Sequence, residues 1–430
     1  MNVVKIGLLG LGNVGCGTWL TLTTNSSSIV ARAGVKLEVA GIAVRDLNKR
    51  RLASPPAELL TTDALSLIDD PSIPIIVETI GCPHQDTRIA RDFMLRALAA
   101  GKHVVTANKE VLAKHGRELR AAVGASGGLY YEGAVAGGIP VVKVFRESLA
   151  GNTVTSIMGI INGTTNYILT RMSREGSPFD EVLRAAQELG YAEQDPSSDV
   201  DGHDAAYKLA LLCSMAIGAE VNVEDIFREG ISGITPEDLH YAAELGYTVK
   251  LLAIARRDGG SVELRVHPTM IPSSHPLASV GGAFNAVFIQ GDAVGDLMLY
   301  GMGAGMMPTG SAVVADCIDA AINIARGVSP VPDRREQRCT LKPMDDVVSC
   351  YYVRVQVVDE PGVMAALASE FGRAGVSIES LIQKGRGQDP VSVVFVTHAA
   401  RERSVQEALR GVRALDVVHS VASVIRVVAG

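Results

Sequence analysis

The segment Gly190–Lys208 carries the side chains in this sequence that are best suited to chemistry. It reads Gly-Tyr-Ala-Glu-Gln-Asp-Pro-Ser-Ser-Asp-Val-Asp-Gly-His-Asp-Ala-Ala-Tyr-Lys and contains five carboxylates. Its glycine can end one helix, and its Pro/Ser/Asp turn separates that helix from a second one rich in Ala and Leu. Because Asp204 and Lys208 are four residues apart, they lie on one face of the second helix. A carboxylate and an ammonium placed in this way can both face a ligand in the turn.

Two interpretations of Asp204 and Lys208 are open. An exposed pair at this spacing would be an ordinary surface ion pair that contributes about 0.3–0.5 kcal/mol. However, the residues after Lys208 read Leu-Ala-Leu-Leu-Cys-Ser-Met-Ala-Ile, which is almost wholly apolar. The helix is therefore expected to be buried, and the pair at its start to be partly desolvated. This context favours a functional site.

A glycine-rich turn follows the first predicted strand. The apolar run Val3–Leu9 leads into Gly-Leu-Gly-Asn-Val-Gly at residues 10–15, and a helical stretch comes next. A G-x-G-x-x-G motif between a strand and a helix is typical of dinucleotide binding, because backbone N–H groups at the helix start can approach a pyrophosphate. A glycine turn without a ligand is the alternative. The predicted cofactor contacts in this motif are Gly10, Gly12, Asn13, Val14 and Gly15.

The end of the second predicted strand, Val35–Val44, bears on the choice of cofactor. An acidic residue at this place binds the ribose hydroxyls of NAD, whereas an arginine favours the extra phosphate of NADP. Arg45 and Asp46 follow the strand directly, and three basic residues occupy positions 49–51. We therefore favour NADP, and use of NAD stays open.

Small polar residues end two further predicted strands. Thr79 ends one of them, and Thr106, Asn108 and Lys109 follow the apolar residues of the next. In an open α/β sheet, ligands bind beyond the carboxyl ends of the strands. Lys109 is therefore expected near the substrate or the nicotinamide, with a solvated lysine as the alternative.

The segment Leu129–Pro140 is rich in small residues and reads Leu-Tyr-Tyr-Glu-Gly-Ala-Val-Ala-Gly-Gly-Ile-Pro. Such an irregular backbone can turn its carbonyl groups inward. It could bind a monovalent cation through main-chain oxygens, or it could be a tight crossing between two domains. The residues alone do not decide between these interpretations.

The chain is predicted to be an α/β protein with three domains. A Rossmann-type, doubly wound parallel sheet comes first, an α+β domain follows, and a Pro- and charge-rich linker leads to a ferredoxin-like β-α-β-β-α-β unit. A glycine loop near residue 303 opens a helix that is expected to return to the nucleotide domain. The predicted boundaries are 1–135 with helix 305–326, then 136–304, the linker 327–348, and 349–430.

Composition excludes several classes of protein. The chain has 430 residues and a net charge of −7, with acidic and basic residues interspersed, so it offers no basic surface for nucleic acid and no polybasic membrane patch. Its 6 cysteines are scattered without a C-x-x-C motif, which is typical of reduced packing residues. No signal peptide and no apolar run of about 18 residues is evident. We expect a cytoplasmic protein.

Taken together, these segments resemble homoserine dehydrogenase over essentially the whole chain. The most specific matches are Gly190–Lys208, Thr106–Glu110, Glu132–Pro140 and Asn162–Asn166, and residues 359–362 match the Asp-x-Pro-Gly turn of an ACT domain. The resemblance implies reversible hydride transfer between NAD(P)H and L-aspartate 4-semialdehyde, giving L-homoserine for threonine and methionine biosynthesis. It also implies feedback inhibition through the ACT domain, with threonine as the expected effector, and a homodimer or homotetramer.

The same resemblance implies roles for single residues. Lys208 is the expected proton donor and Lys109 is expected to reach nicotinamide and substrate, although the sequence does not decide which lysine moves the proton. Cys82 stands where a glycine is usual, which leaves the shape of that loop open. The other implied contacts are Gly190, Glu193 and Asp204 for the substrate, Thr79, Thr106 and Gly305 for the cofactor, main-chain oxygens of Glu132, Val135, Gly137 and Ile139 for Na⁺, and Asp359 and Gly362 for the effector.

Two rival functions are open at this stage. One is another semialdehyde or amino-acid dehydrogenase on the same scaffold, which substrate analogues would distinguish. The other is a catalytically inactive amino-acid sensor that keeps the nucleotide and ACT folds only for binding. The intact set Lys109, Glu193, Asp204 and Lys208 argues against the sensor.

Overall fold

The computed structural model describes residues 2–82, 86–218, 220–331, 339–384 and 390–428. The strands are β1 (Asn2–Leu9), β2 (Val35–Ala43), β3 (Leu60–Thr61), β4 (Ile75–Glu78), β5 (His103–Thr106), β6 (Gly128–Tyr130), β7 (Val154–Ile160), β8 (Phe227–Arg228), β9 (Tyr247–Asp258), β10 (Ser261–Pro272), β11 (Phe284–Gly291), β12 (Gly295–Met302), β13 (Thr340–Leu341), β14 (Val348–Val357), β15 (Ile378–Lys384), β16 (Val391–Thr397), β17 (Ala400–Arg401) and β18 (Val418–Val427). The helices are α1 (Asn13–Thr24), α2 (Ser26–Ala33), α3 (Ala64–Asp69), α4 (Arg88–Ala99), α5 (Lys109–Ala121), α6 (Val141–Lys143), α7 (Gly163–Glu175), α8 (Phe179–Glu188), α9 (Ser197–Val200), α10 (His203–Ile217), α11 (Pro236–Glu244), α12 (Met306–Arg326), α13 (Val363–Arg373) and α14 (Glu402–Arg413).

These elements form two compact units. The first unit contains residues 1–157, 207–225 and 285–339, and the second contains 158–206, 226–284 and 340–430. β7 and α10 each include a boundary between the units. Within the described residues, no helix combines the length and the apolar character that crossing a membrane requires.

The first unit contains the predicted Rossmann-type sheet. Its strand order is β3-β2-β1-β4-β5-β6, and neighbouring strands run parallel. This order is the dinucleotide-binding arrangement, in which the chain reverses direction across the sheet between β1 and β4. β4 and β5 are buried along their whole length, as expected for central strands of a sheet covered on both faces. The prediction of a parallel nucleotide-binding fold is confirmed.

Helix α12 packs closely on α1 within the first unit. A Cβ atom added to Gly17 would lie 1.9 Å from the carbonyl oxygen of Met306, and one added to Gly310 would lie 2.4 Å from the carbonyl carbon of Gly17. Both contacts are too short for any side chain, so glycine is needed on each helix where they cross. The C-terminal part of the first unit therefore covers the first helix after the glycine turn.

The C-terminal module of the second unit, residues 348–427, has the predicted β-α-β-β-α-β order. Its sheet order is β18-β14-β16-β15, and all three neighbouring pairs are antiparallel. Tyr351, Phe371 and Phe395 are fully buried between this sheet and helices α13 and α14. The ferredoxin-like prediction is thus confirmed.

Two features beside this module were not predicted from the sequence. β18 also pairs in parallel with β10, through Thr269 with Arg426 and Met270 with Val427, so the sheet of the module continues into the antiparallel pair β9–β10. The described end of the predicted linker is also ordered, because β13 pairs with β10 and the Lys342 N–H donates to the Val262 carbonyl at 3.0 Å. Residues 332–338 of that linker lie outside the described residues.

Candidate active site

The glycine-rich turn after β1 has the geometry that a pyrophosphate site needs. Gly10 has φ of +97°, and a Cβ there would lie 2.8 Å from the Thr79 carbonyl oxygen. The Thr79 hydroxyl donates to the carbonyls of Leu9 at 3.1 Å and Gly10 at 3.0 Å, which ties the turn to the end of β4. Gly12 precedes α1, and among the described residues other than its chain neighbours no atom lies within 4 Å of the place where its Cβ would be. The start of α1, at Asn13 and Val14, therefore has room for an anionic group.

Glu78 is the last residue of β4, between the ends of β1 and β5, and it was not predicted from the sequence. Its carboxylate is fully buried and accepts hydrogen bonds from the Thr106 hydroxyl at 2.5 Å and the Ile80 N–H at 2.7 Å. Burial, only partly offset by these donors, raises the pKa of Glu78 to about 7. The sequence contained a signal for its burial, because Glu78 directly follows the apolar residues Ile75–Val77 of a predicted strand.

Asn108 connects the loop after β4 to the start of α5, whose first residue is Lys109. Its side chain accepts from the Val111 N–H at 3.2 Å and donates to the Ile80 carbonyl at 3.0 Å and the Cys82 sulfur at 3.1 Å. Burial raises the pKa of Cys82 to about 11, so this side chain is a neutral thiol at neutral pH. Lys109 itself is half-buried. The first unit therefore brings together Thr79, Thr106 and the start of α5.

Arg45 follows β2 and is exposed, as is Asp46. The Asp46 carboxylate accepts from the Asn48 N–H at 2.8 Å, and its carbonyl accepts from the Arg51 guanidinium. This compact basic turn leaves the Arg45 side chain in solvent beside the strand end. Its position agrees with contact to an adenosine phosphate.

Residues 132–139, here called the 132–139 loop, contain a strained backbone position. Ala136 has φ of +55°, which residues with a side chain rarely adopt, and Gly137 also has φ of +55°. A Cβ on Gly137 would lie 2.5 Å from the carbonyl group of Gly303, so no other residue fits there. The side chain of Asn285 occupies the place where a Cβ of Gly303 would stand, and it is 1% exposed. Within the described part of the chain, its amide oxygen and nitrogen have no hydrogen-bond partner.

The 132–139 loop contains one buried carboxylate, that of Glu132, and contacts a second, that of Asp316. The Glu132 side chain accepts from the N–H groups of Val142 and Lys143, both at 2.8 Å, and the Glu132 N–H donates to Asp316 at 2.7 Å. Burial raises the pKa of Glu132, and burial together with the nearby Glu132 charge raises the pKa of Asp316 well above its ordinary value. A nearby positive charge would therefore be favourable.

The acidic turn, residues 190–204, lies in the second unit. Gly190 and Glu193 are exposed, and the Gln187 amide donates to the Glu193 carbonyl at 3.0 Å, which fixes the backbone of Glu193 while leaving its carboxylate in solvent. Asp204 is only 5% exposed. Of the two predicted substrate carboxylates in the turn, that of Glu193 is therefore exposed and that of Asp204 is buried.

Asn162 holds the buried side of the acidic turn, a role that the sequence analysis did not assign. Its amide nitrogen donates to Asp199 at 2.6 Å and to Asp204 at 2.9 Å, while its amide oxygen caps α7 by accepting from the Thr165 N–H at 2.9 Å. The same side chain also stabilises the negative charge of two carboxylates, one on α9 and one on α10, by donating a hydrogen bond to each.

Lys208 is one turn beyond Asp204 on α10 and is 8% exposed. The helix is buried from Asp204 through Ser214, as its apolar sequence predicts. The interpretation of Asp204 and Lys208 as an exposed surface pair is wrong.

The predicted effector residues precede α13. Asp359 is exposed and accepts from the Gln383 amide at 3.2 Å, and Gly362 has φ of +96° at the start of the helix. The turn is therefore accessible and contains a backbone conformation that favours glycine.

Comparisons with known proteins agree with this arrangement. Family models for "Homoserine dehydrogenase" match residues 140–318, for "Homoserine dehydrogenase, NAD binding domain" residues 10–132, and for "ACT domain" residues 351–416. A homoserine dehydrogenase of Synechocystis sp. is 46% identical, with 99% of each chain covered.

Solved structures agree as well. The crystal structure of a homoserine dehydrogenase from Thiobacillus denitrificans is similar with a TM-score of 0.92 and 43% identity, covering 100% of this chain and 99% of that one. A hyperthermophilic archaeal homoserine dehydrogenase in complex with NADPH is 28% identical with a TM-score of 0.63, covering 77% of this chain and 99% of that one.

Proposed function

The chain belongs to the homoserine dehydrogenase family, and we propose that the acidic turn with Lys208 and Lys109 performs its reaction. The enzyme is an NAD(P)-dependent oxidoreductase that interconverts L-aspartate 4-semialdehyde and L-homoserine. The observation that carries the assignment is the burial of Asp204 and Lys208 on consecutive turns of α10.

The proposed roles follow from charge and burial. Glu193 and Asp204, with the backbone at Gly190, bind the amino-acid end of the substrate, and Asn162 keeps Asp204 in place through its 2.9 Å hydrogen bond. When bound, the nicotinamide supplies a hydride to the aldehyde carbon. Lys208 donates a proton to the oxygen as it becomes an alkoxide, and in the reverse direction it accepts that proton. Lys109 polarises the same carbonyl and is the alternative proton donor.

The cofactor that we favour is NADP, with NAD as the alternative. Exposed Arg45, with the basic residues at 49–51, supports this choice. Gly10, Gly12 and Gly15 form the turn for the pyrophosphate, and Gly305 at the start of α12 closes the pocket from the other side. The NADPH complex of the archaeal relative also supports it.

We further propose that the 132–139 loop binds Na⁺ or another monovalent cation through main-chain oxygens. The candidate ligands are the carbonyl groups of Glu132, Val135, Gly137 and Ile139. The strain at Ala136, the buried acids Glu132 and Asp316, and the Asn285 amide, which has no partner among the described residues, all fit this group. The cation would stabilise the loop and would take no part in the hydride step.

The C-terminal module supports a regulatory role. Its ACT fold suggests an amino-acid effector, for which we propose threonine, bound near Asp359 and Gly362. A homodimer or homotetramer in the cytoplasm, without nucleic-acid or membrane partners, is our proposal for the assembly and its location.

Substitution of Lys208 tests the proposed chemistry. Lys208→Ala is expected to lower kcat by at least about 100-fold, because the alkoxide loses its proton donor, while the Kd for NADPH stays unchanged. Turnover is measured by absorbance with homoserine and oxidised cofactor, and Kd by NADPH fluorescence. Lys36→Ala, at a lysine whose side chain is 42% exposed on β2, is the control and should leave both values unchanged. Near-normal turnover in Lys208→Ala would refute the role of Lys208.

A further inference from the structure

We propose that Glu229 is a positioning residue that holds the acidic turn in place by means of an ion pair with Arg426 of the C-terminal module. This inference rests on the proposed function of Asp204 in substrate binding. All the residues that carry it lie in the second unit.

Arg426 of β18 is a buried guanidinium shared by two carboxylates. It is 2% exposed, and it donates to Glu402 through Nε and Nη2, both at 2.8 Å. On its other side it donates to Glu229 through Nη1 at 2.6 Å and Nη2 at 3.2 Å. Glu402 belongs to the same module and receives a further hydrogen bond from the Tyr351 hydroxyl at 2.8 Å. Glu402 alone can therefore neutralise Arg426. The Arg426 charge does not require Glu229 for its compensation, so the second ion pair can serve to hold Glu229 in place.

The segment that carries Glu229 contacts the acidic turn through backbone atoms. The Glu229 N–H donates to the Val266 carbonyl of β10 at 2.8 Å, and the Ile231 N–H donates to the Val200 carbonyl at 2.9 Å. A Cβ added to Gly230 would lie only 2.5 Å from the same Val200 oxygen. Because this contact joins backbone to backbone, a shift of residues 229–231 must shift the turn as well.

The contact lies directly before the proposed substrate residue. Val200 ends α9, and α10 begins at His203, so Asp204 follows within four residues. Gly202 in between has φ of +80°, and a Cβ there would meet the Val266 side chain at 3.1 Å. Movement of the Glu229 segment therefore changes where the Asp204 carboxylate stands. Positional changes of about 1 Å at such a group can alter rates up to about 100-fold.

A second ion pair in the chain provides a matched control. Arg354 of β14 is buried and donates to Glu237 and to Asp238. The side chains of Glu237 and Glu229 are each 42% exposed, and each arginine retains a second, buried carboxylate if the exposed one is lost. The two glutamates differ in position, because Glu237 lies in the first turn of α11 and Glu229 lies in the segment that contacts the acidic turn.

The experiment compares Glu229→Gln with Glu237→Gln in the full chain. We expect Glu229→Gln to raise the KM for homoserine about tenfold, because Asp204 loses its position, while the KM for NADP stays within about twofold. Glu237→Gln should leave both KM values within about twofold of wild type. Equal effects of the two variants, or an unchanged homoserine KM in a folded Glu229→Gln protein, would overturn the inference.

Two further variants keep the outcome interpretable. If Glu229→Gln does not fold, Glu229→Asp takes its place, since it keeps the charge but shortens the side chain, and the same order of KM values is expected. Lys208→Ala is measured in parallel. If it loses turnover while Glu229→Gln is silent, only the positioning role fails, whereas an active Lys208→Ala protein refutes the proposed site itself.

Discussion

Replacing Glu78 by glutamine is expected to remove a loss of stability that the wild-type protein suffers as pH rises. The carboxyl group is fully buried, and burial raises its pKa to about 7 from the ordinary value of 4.5. The folded state therefore binds this proton more tightly than the unfolded state does. The resulting stability is fully present below about pH 4.5 and is lost as pH rises through about 7.

The magnitude follows from the two pKa values. The difference between 4.5 and about 7 corresponds to about 3 kcal/mol in the free energy of unfolding. By the linkage between proton binding and the free energy of unfolding, about 2 kcal/mol of that loss occurs between about pH 5 and pH 7. Glutamine is neutral at all these pH values, and its amide can still accept from the Ile80 N–H and donate to the Thr106 hydroxyl. The variant should thus gain about 2 kcal/mol relative to wild type over this interval.

Urea unfolding of both proteins at several pH values measures this gain. The chain has 1 tryptophan, Trp19, which packs against the core of the first unit and so reports the unfolding of the unit that contains Glu78. Other titrating groups contribute equally to both proteins and cancel in the difference. Glu38→Gln is the control, because its carboxylate is 47% exposed on β2. Parallel stability curves for wild type and Glu78→Gln between pH 5 and pH 8 would refute a buried carboxyl with a raised pKa.

Three further outcomes test the binding proposals. Arg45→Ala should raise the KM for NADP at least about fivefold, because an exposed phosphate contact is lost, and should leave the KM for NAD unchanged in the same absorbance assay. Gly137→Ala should destabilise the first unit by about 1–3 kcal/mol through strain and contact with Gly303, and should abolish any dependence of activity on Na⁺ when choline replaces it. Millimolar threonine should inhibit the wild-type enzyme, and Asp359→Ala should weaken that inhibition without changing kcat; an unaffected wild-type enzyme would contradict the choice of effector.

Local signals were sufficient for much of the fold. The glycine turn at residues 10–15 lies between a strand and a helix, and its function depends on neighbours in the sequence, so the motif predicts its own geometry. The apolar residues after Lys208 likewise predict a buried helix, because helix burial follows from the pattern of side chains along one segment. The C-terminal module was predictable for the same reason, since each of its elements carries its own periodicity.

Contacts between distant segments were not predictable in this way. Asn162 and Asp204 are 42 residues apart, and no pattern in either segment indicates that one amide serves two carboxylates. Pairing of β18 with β10 joins residues that are more than 150 positions apart. It depends on β18 being the strand at the edge of the module's sheet that faces β10. Nothing in the sequence around Glu229 indicates that Arg426 lies beside it in the folded chain. Such contacts arise only from tertiary packing.

These contacts also bear on how the regulatory role can be tested. A shortened chain that ends before β14 would remove Arg354 from the fully buried Asp238 and would remove β18 from the edge of β10. Without these contacts the second unit loses a buried ion pair and a strand pairing, so such a chain would lose activity through destabilisation even if the module had no regulatory role. Point substitutions at Asp359 preserve both contacts. Loss of the response to threonine in Asp359→Ala, with kcat unchanged, therefore separates effector binding from structural support, whereas deletion of the module cannot.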